Sequence, residues 1–310
     1  MMKIPLPFIM VSIGLAAAGG GQRNQLAVSI DYRYSAAFIS TISSSPGRTE
    51  LVIFPFHGKA VKIPIRFGGS PFTYSPNGMA LYSQCTPDPV RPLDPVKIAL
   101  CKIELKTLTT TPVPGSTGLY VYNFAVSNHE DHILASGVHR QDENSRRGMF
   151  EITISDGRTR AVSLESDKAT KLPWGNLSLS VDGKSAVATH DGRVEIIDIA
   201  RGSTESLKGE FFMATWSPDG KWLAAIEKGE NGHTILMDAK TLDRKRTLGP
   251  SELGWSPDSR YLLGIKPCGP YSGTLEAINV ESSERTIIES SKCQVNQATT
   301  GWVSNDIYEK

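Results

Sequence analysis

Phe212-Met213-Ala214-Thr215-Trp216-Ser217-Pro218-Asp219-Gly220-Lys221-Trp222-Leu223-Ala224-Ala225-Ile226 is two short apolar runs separated by a tetrapeptide suited to a turn. Ser at the first turn position can bond the backbone two residues on. Pro at the second presets φ, and Gly at the fourth relieves crowding as the chain leaves. The flanking runs carry β-branched and aromatic residues without a helical period, so they read as two strands of a hairpin. Residues 233–238 and 245–248 supply two further strands. The unit is therefore four strands, A to D, with the tetrapeptide between A and B.

The unit recurs. Trp255-Ser256-Pro257-Asp258-Ser259-Arg260-Tyr261-Leu262-Leu263 begins the next copy and Leu179-Ser180-Val181-Asp182-Gly183-Lys184 the previous one. Tyr74-Ser75-Pro76-Asn77-Gly78 begins an earlier copy, and Val126-Ser127-Asn128-His129-Glu130 holds the same place with altered chemistry. The anchor serines thus return roughly every 40 to 50 residues, the spacing of propeller blades. Outer strand pairs follow them at 98–108, 149–164, 193–207, 234–248 and 274–288. A sixth outer pair, 51–65, precedes the first anchor, and its inner strands are expected within 26–42. Gly301-Trp302-Val303-Ser304-Asn305-Asp306 reads as one more strand A, which would complete the first blade and join the two ends of the chain. A single four-stranded sheet cannot bury both faces, whereas radial stacking does. The expected fold is an all-β β-propeller of four-stranded antiparallel blades, six in number, with seven as the alternative count. No helix is expected beyond the N-terminal segment, and residues 22–310 should form one domain.

The stretch Trp216-Ser217-Pro218-Asp219-Gly220-Lys221-Trp222-Leu223-Ala224 resembles the repeat of TolB-type propellers and, more broadly, Trp-Asp repeats. Similar repeats occur in the propeller of prolyl oligopeptidase-like enzymes. The resemblance covers the propeller portion only, roughly residues 26–310. It implies a periplasmic protein that binds other envelope proteins and performs no catalysis. The TolB family carries an α/β domain ahead of its propeller, and none is expected within residues 1–25. The hydrolases need a Gly-x-Ser-x-Gly nucleophile turn, and the sequence has none.

Lys plus Arg number 33 against 32 Asp plus Glu, a net charge of +1. That balance argues against a nucleic-acid partner, which requires clustered positive charge. Lys3 followed by the apolar run 4–18 and Ala16-Ala17-Ala18 reads as a signal peptide spanning residues 1–21; an uncleaved anchor is the alternative. No other long apolar stretch exists, so no membrane span is expected after its removal. The mature chain is expected in the periplasm or the external medium, as a monomer. Cys85, Cys101, Cys268 and Cys293 are the four cysteines. Three pairings are open to them. Cys85–Cys101 and Cys268–Cys293 are favoured because each lies inside one repeat, with free buried thiols as the alternative.

Candidate chemistry is sparse. Asn128-His129-Glu130-Asp131-His132 gathers two imidazoles and two carboxylates, but the histidines stand three apart in a turn, not four apart on a helix as a zincin requires. His190-Asp191-Gly192 reads as a hairpin turn. Glu104, Asp198, Asp238 and Asn279 recur at the ends of C strands, where such side chains bond the N–H groups of the following turn. Trp174, Trp216, Trp222 and Trp255 read as packing between blades. No catalytic residue, metal or cofactor is assigned.

Three B–C connections read as long loops on one face: 85–95, rich in Pro; 137–148, rich in charge; and 266–273. Loops on a rigid scaffold are where partners usually dock. The expected contacts with a protein partner in the cell envelope are Arg91, Asp94, His139, Arg140, Arg146 and Arg147. The alternative is a small-molecule hydrolase, lactonase-type or sugar-processing, with a metal or polar site in the central channel.

Overall fold

The computed structural model describes residues 33–41, 49–55, 59–65, 71–85, 98–141, 144–164, 174–229, 232–249, 254–269, 272–293 and 300–307. Residues 1–32, with the expected signal peptide, and the 86–97 connection with Arg91 and Asp94 lie outside them. The chain folds into six antiparallel sheets. In the first, β1 (Tyr34–Thr41), β2 (Thr49–Phe54) and β3 (Val61–Ile65) form strands B to D. The second holds β4 (Phe72–Tyr74), β5 (Ala80–Cys85), β6 (Ala99–Glu104) and β7 (Thr110–Pro112). The third holds β8 (Leu119–Val126), β9 (His132–Gln141), β10 (Asn144–Thr153) and β11 (Thr159–Leu164). The fourth is β12 (Gly175–Leu179), β13 (Ser185–His190), β14 (Arg193–Asp198) and β15 (Ser203–Ser206). The fifth is β16 (Phe211–Trp216), β17 (Trp222–Glu227), β18 (Thr234–Asp238) and β19 (Arg244–Leu248).

In the sixth sheet β20 (Tyr261–Gly269), β21 (Ser272–Asn279) and β22 (Arg285–Ile287) form strands B to D, and Trp255 bridges Leu262 in the place of strand A, residues 250–253 before it lying outside the described residues. The last strand, β23 (Thr300–Ser304), pairs antiparallel with β1 and becomes strand A of the first sheet. The ring is thus closed by the two ends of the chain, with six blades and not seven. Two single turns of 3-10 helix, Glu289–Ser291 and Asn305–Ile307, are the helical segments among the described residues.

Packing follows from strand alternation, which sends successive side chains to opposite faces. Leu81 turns toward the first blade, against Leu51, Ile53 and Val303, while Tyr82 turns toward the third, against Leu119 and Ile133. Leu134 and Met149 meet Trp174 and Leu177 between blades three and four. Val187 meets Leu223 and Ile235 between four and five, and Leu236 meets Leu262 between five and six. The core is therefore a series of wedges between blades.

The anchor serines do more than the sequence suggested. Each Oγ donates to the acid or amide of its own turn: Ser75 to Asn77, Ser180 to Asp182, Ser217 to Asp219, Ser256 to Asp258, at 2.6–2.7 Å. Each also accepts the N–H five residues on, such as Trp222 N–H to Ser217 at 2.9 Å and Tyr261 N–H to Ser256 at 2.9 Å. The expected bond to the backbone two residues on is replaced, because the side-chain acceptor at that position comes within closer reach. The fourth turn residue is left-handed in every copy, Gly78, Gly183 and Gly220 at φ 66–70° and Glu130 and Ser259 at φ 54° and 62°. Glycine takes that conformation without steric cost. Gly78 has a second reason: a Cβ there would stand 2.7 Å from the Ser304 nitrogen of β23.

Side chains of the inner strands and turns stitch the blades together. Asn77 donates to Glu130 (2.9 Å), Leu177 N–H to Asn123 (3.2 Å), Trp216 N–H to Ser178 (3.0 Å) and Asp219 N–H to Ser259 (2.8 Å). Trp302 Nε1–H donates to the Gly254 carbonyl (3.0 Å), and Ser304 N–H to the Gly78 carbonyl (3.0 Å), completing the circle.

Ser217→Ala should destabilise the protein by about 1–3 kcal/mol in urea unfolding, since it strands a part-buried N–H. The turn carboxyls also set an acid limb. Ser127 and Ser180 hold Asp131 and Asp182 below the usual carboxylate range; at Asp219 burial opposes this, but Ser217 and Lys221 prevail. A carboxyl held low when folded stabilises fully above its unfolded pKa of about 3.9, and that stability is lost as pH falls through the native value. The decline of the urea midpoint below about pH 4 should therefore be shallower in an Asp131→Asn, Asp182→Asn, Asp219→Asn variant.

Candidate partner-binding face

Antiparallel strands reverse direction at each turn, so A–B and C–D turns share one end of the ring and B–C connections the other. At the A–B end, the Asn128–His132 cluster is a turn. Ser127 Oγ donates to Asp131, and Glu130 accepts from Tyr82 Oη (2.6 Å) and pairs with Lys102 (2.8 Å). Glu130 therefore holds blades two and three together, while Asp131 fixes its own turn. Asn128, which replaces the turn proline, donates from Nδ2 to the Pro218 carbonyl of the fifth blade (2.5 Å). Asp198, Asp238 and Asn279 accept N–H groups of their C–D turns at 2.9–3.0 Å. Glu104 differs and pairs with Lys102 (3.0 Å).

Along the axis lies a cavity of about 260 Å³, walled by the inner strands and A–B turns, among them Tyr74, Ser178, Trp216, Trp255 and Trp302. Among the described residues that line it there is no Asp, Glu, His, Lys or Arg. The Tyr74 phenol in its wall is pushed up by burial and stays protonated. Among the described residues no three His, Cys, Asp or Glu side chains gather as a metal site would require. Trp216 and Trp255 thus serve both the wedges and the cavity wall, while Trp174 is buried and stacks on His190 at 4.0 Å.

The B–C end is uneven. His190-Asp191-Gly192-Arg193 is a two-residue turn with Asp191 at φ 48° and Gly192 at φ 74°, the pattern of a type I′ hairpin. By contrast β9 and β10 are ten residues each. The expected loop at 137–148 is mostly a strand extension, and so is that at 266–273, where β20 runs to Gly269 and β21 starts at Ser272. Both segments are polar, so no apolar alternation could announce a strand. Pairing with β8 reaches Leu119↔His139, and described pairing with β11 ends at Gly148↔Leu164. Residues 144–147 continue past Leu164 by about 13 Å at strand rise, with β8 still flanking the ribbon as far as His139.

That ribbon carries His139, Arg140, Arg146 and Arg147, with Arg146 opposite His139 and Arg147 opposite Val138. Alternation divides them. His139 and Arg146 face the second blade, His139 lying edge-on to Phe150 with ring centroids 5.6 Å apart. Burial, with help from the Arg146 charge, lowers the His139 pKa and favours the neutral ring. Arg140 and Arg147 face the fourth blade. The Arg147 guanidinium lies 5.3 Å over the Tyr122 ring and donates to its hydroxyl at 3.1 Å. Tyr120 meets Tyr122 edge-on at 5.6 Å and is 41% exposed.

Sequence reasoning missed Tyr120, Tyr122 and Phe212. Inner strands β8 and β16 each carry a bulge, at Tyr122 and at Phe212. A bulge re-aims one side chain out of the alternation, and Phe212 is left 51% exposed inside a run that otherwise reads as core. Nothing in composition marks a bulge.

The structure joins Cys85 to Cys101 and Cys268 to Cys293, with Cα separations of 5.8 and 5.7 Å. In both blades a serine fastens strand C. Ser116 Oγ accepts Leu100 N–H (2.9 Å) and donates to the Val113 carbonyl (2.7 Å); Ser291 does the same for Leu275 (2.8 Å) and Ile288 (2.6 Å). The shared spacing of Val113 to Ser116 and Ile288 to Ser291 is the sequence signal for this fastening.

No protein-family model matches the chain, and no curated protein sequence matches it significantly. Its structural neighbours include TolB from Acinetobacter baumannii, at 18% identity and TM-score 0.60, covering 88% of this chain and 67% of that one. A protein assigned as TolB from Agrobacterium tumefaciens follows at 14% identity and TM-score 0.48, covering 83% and 88%. A protein assigned as a 6-phosphogluconolactonase from Bacteroides uniformis stands at 18% identity and TM-score 0.46, covering 82% of each. At such identities the likeness is one of fold, a TolB-like propeller. None of the described helices is long and apolar enough to cross a membrane.

Paired Cys268→Ser and Cys293→Ser substitutions remove a link across 25 residues, worth about 3 kcal/mol by loop entropy. Amide exchange should accelerate first at the β20–β21 tip, with blade three unchanged.

Proposed function

We propose that the chain is an exported, non-catalytic β-propeller that serves as a protein-binding scaffold in the cell envelope, with its partner docking on the B–C face. The observation that carries this reading is the projecting β9–β10 ribbon with three exposed arginines beside an exposed tyrosine. Tyr and Arg are the residue types enriched at interface hot spots. The rigid ring beneath lowers the cost of ordering such a surface on binding. Arg140, Arg146 and Arg147 are the principal contacts, with His139, Arg91 and Asp94 as further ones.

Export is supported by the Lys3-led apolar run ending at Ala16-Ala17-Ala18 and by two disulfides, which persist in oxidising compartments. The resemblance of the Ser-Pro-Asp-Gly repeat to TolB favours the periplasm, and the chain acts there as a monomer.

Arg140→Glu, Arg146→Glu, Arg147→Glu should lower retention of partner from a periplasmic extract at least about tenfold, the effect of roughly 1.4 kcal/mol. Undiminished retention would remove this face from the reading. A stoichiometric divalent ion in the purified protein would replace the scaffold by a hydrolase. Intact mass of the exported chain should correspond to a start between Gly19 and Gln22.

A further inference from the structure

We infer that the Cys268–Cys293 bridge is a thiol-exchange site, opened by an external dithiol that attacks Cys293 with Cys268 as the leaving sulfur. The inference is independent of the docking face and concerns what the protein can accept covalently.

Three observations carry it. The two disulfides differ in access. Cys101 is 3% exposed and Cys85 half-buried, both within paired strands, whereas Cys268 and Cys293 are both exposed. Second, both ends of the exposed bridge leave regular backbone. Pairing of β20 with β21 passes from Pro267↔Gly273 to Gly269↔Ser272, so Cys268 is the residue the ladder skips, and such a bulge re-aims a side chain. Cys293 stands at φ 53°, the left-handed region that a non-glycine residue rarely adopts. Exposed bridges and strained ones are the readily reduced kind. Third, the buried Thr274 hydroxyl joins the two halves. It accepts the Cys293 N–H at 3.0 Å and lies 3.2 Å from Cys268 Sγ. With both sulfurs in a disulfide, the hydrogen of that contact is the hydroxyl's.

That donor selects the leaving group. A hydrogen bond to Cys268 Sγ favours its thiolate, and the sulfur with the more stable thiolate leaves faster. The thiolate of the dithiol bonds to Cys293 Sγ as the Sγ–Sγ bond breaks, and the bonding pair departs on Cys268. The second sulfur of the dithiol, deprotonated, then displaces Cys293. The protein gains two electrons and two protons as two thiols, and the dithiol loses them to become a disulfide. Ser291, fully buried, keeps its bonds to Leu275 and Ile288 throughout, so the blade stays seated and the exchange is reversible.

The test exposes the oxidised, full exported protein to dithiothreitol, caps free thiols with N-ethylmaleimide at intervals and locates them by peptide mass. Cys268 and Cys293 should be capped at least about tenfold faster than Cys85 and Cys101. Simultaneous opening of the two bridges, or Cys85–Cys101 opening first, would overturn the site. Brief treatment with reduced glutathione, quenched in acid, should leave glutathione on Cys293; finding it on Cys268 would overturn the assigned leaving group. Thr274→Val should slow opening several-fold and Thr274→Ser restore it, while a Val variant as fast as the parent would remove the hydroxyl from the step. The glutathione trap uses the unaltered chain, so it decides the direction even if Thr274→Val folds poorly. Far-ultraviolet circular dichroism should be unchanged once Cys268–Cys293 is open, and reoxidation should restore the bridge. Unfolding on opening would make the bridge a structural staple and overturn reversible exchange.

Discussion

The ring exists because β23 pairs with β1. Five residues, Thr300–Ser304, lie in register with Phe38–Tyr34, and Ser35 Oγ donates to Asn305 across 270 positions of sequence. Without that strand the first sheet lacks its inner edge, and the wedge shared with the second blade loses Val303. The described wedges from the second blade to the sixth are built by neighbours in sequence. The first described strand is tied to the last, so closure of the ring depends on a long-range contact.

Local preference supplies much of the remainder. The serine anchor acts at three levels at once: it fixes the A–B turn, seats the first N–H of strand B, and in several copies places the turn against a neighbouring blade. The third copy shows which features matter. It has lost the proline, aspartate and glycine of the tetrapeptide yet keeps the bond from Ser127 to Asp131 and the N–H of His132 on Ser127. Glu130 bears the left-handed conformation without being glycine. A non-glycine residue rarely adopts it, and here Tyr82, Asn77 and Lys102 all hold its carboxylate. Strain at one turn is offset by contacts to the adjacent blade.

What could be read from the residues alone follows the same division. Anchors, strand pairs and the closing role of Trp302 were legible because turn chemistry and apolar alternation are local signals. The lengths of β9, β10, β20 and β21 were not, because their outer residues are polar and show no apolar alternation to reveal a period. Of the candidate surface, the arginines were visible by composition. Tyr122 and Phe212 were not, since their orientation depends on bulges in strands that otherwise read as core.

Closure by the chain ends has a consequence for biogenesis. A ribosome adds roughly 5–20 residues per second, so β1 emerges tens of seconds before the strand it must meet. During that interval its inner edge stays open to any passing strand, a hazard for aggregation. A nascent polypeptide delivered through a translocation pore would face the same wait on the far side. Blades two to five can assemble in order as they appear, leaving the earliest-made sheet to be finished last, so the slow event in maturation is the meeting of head and tail.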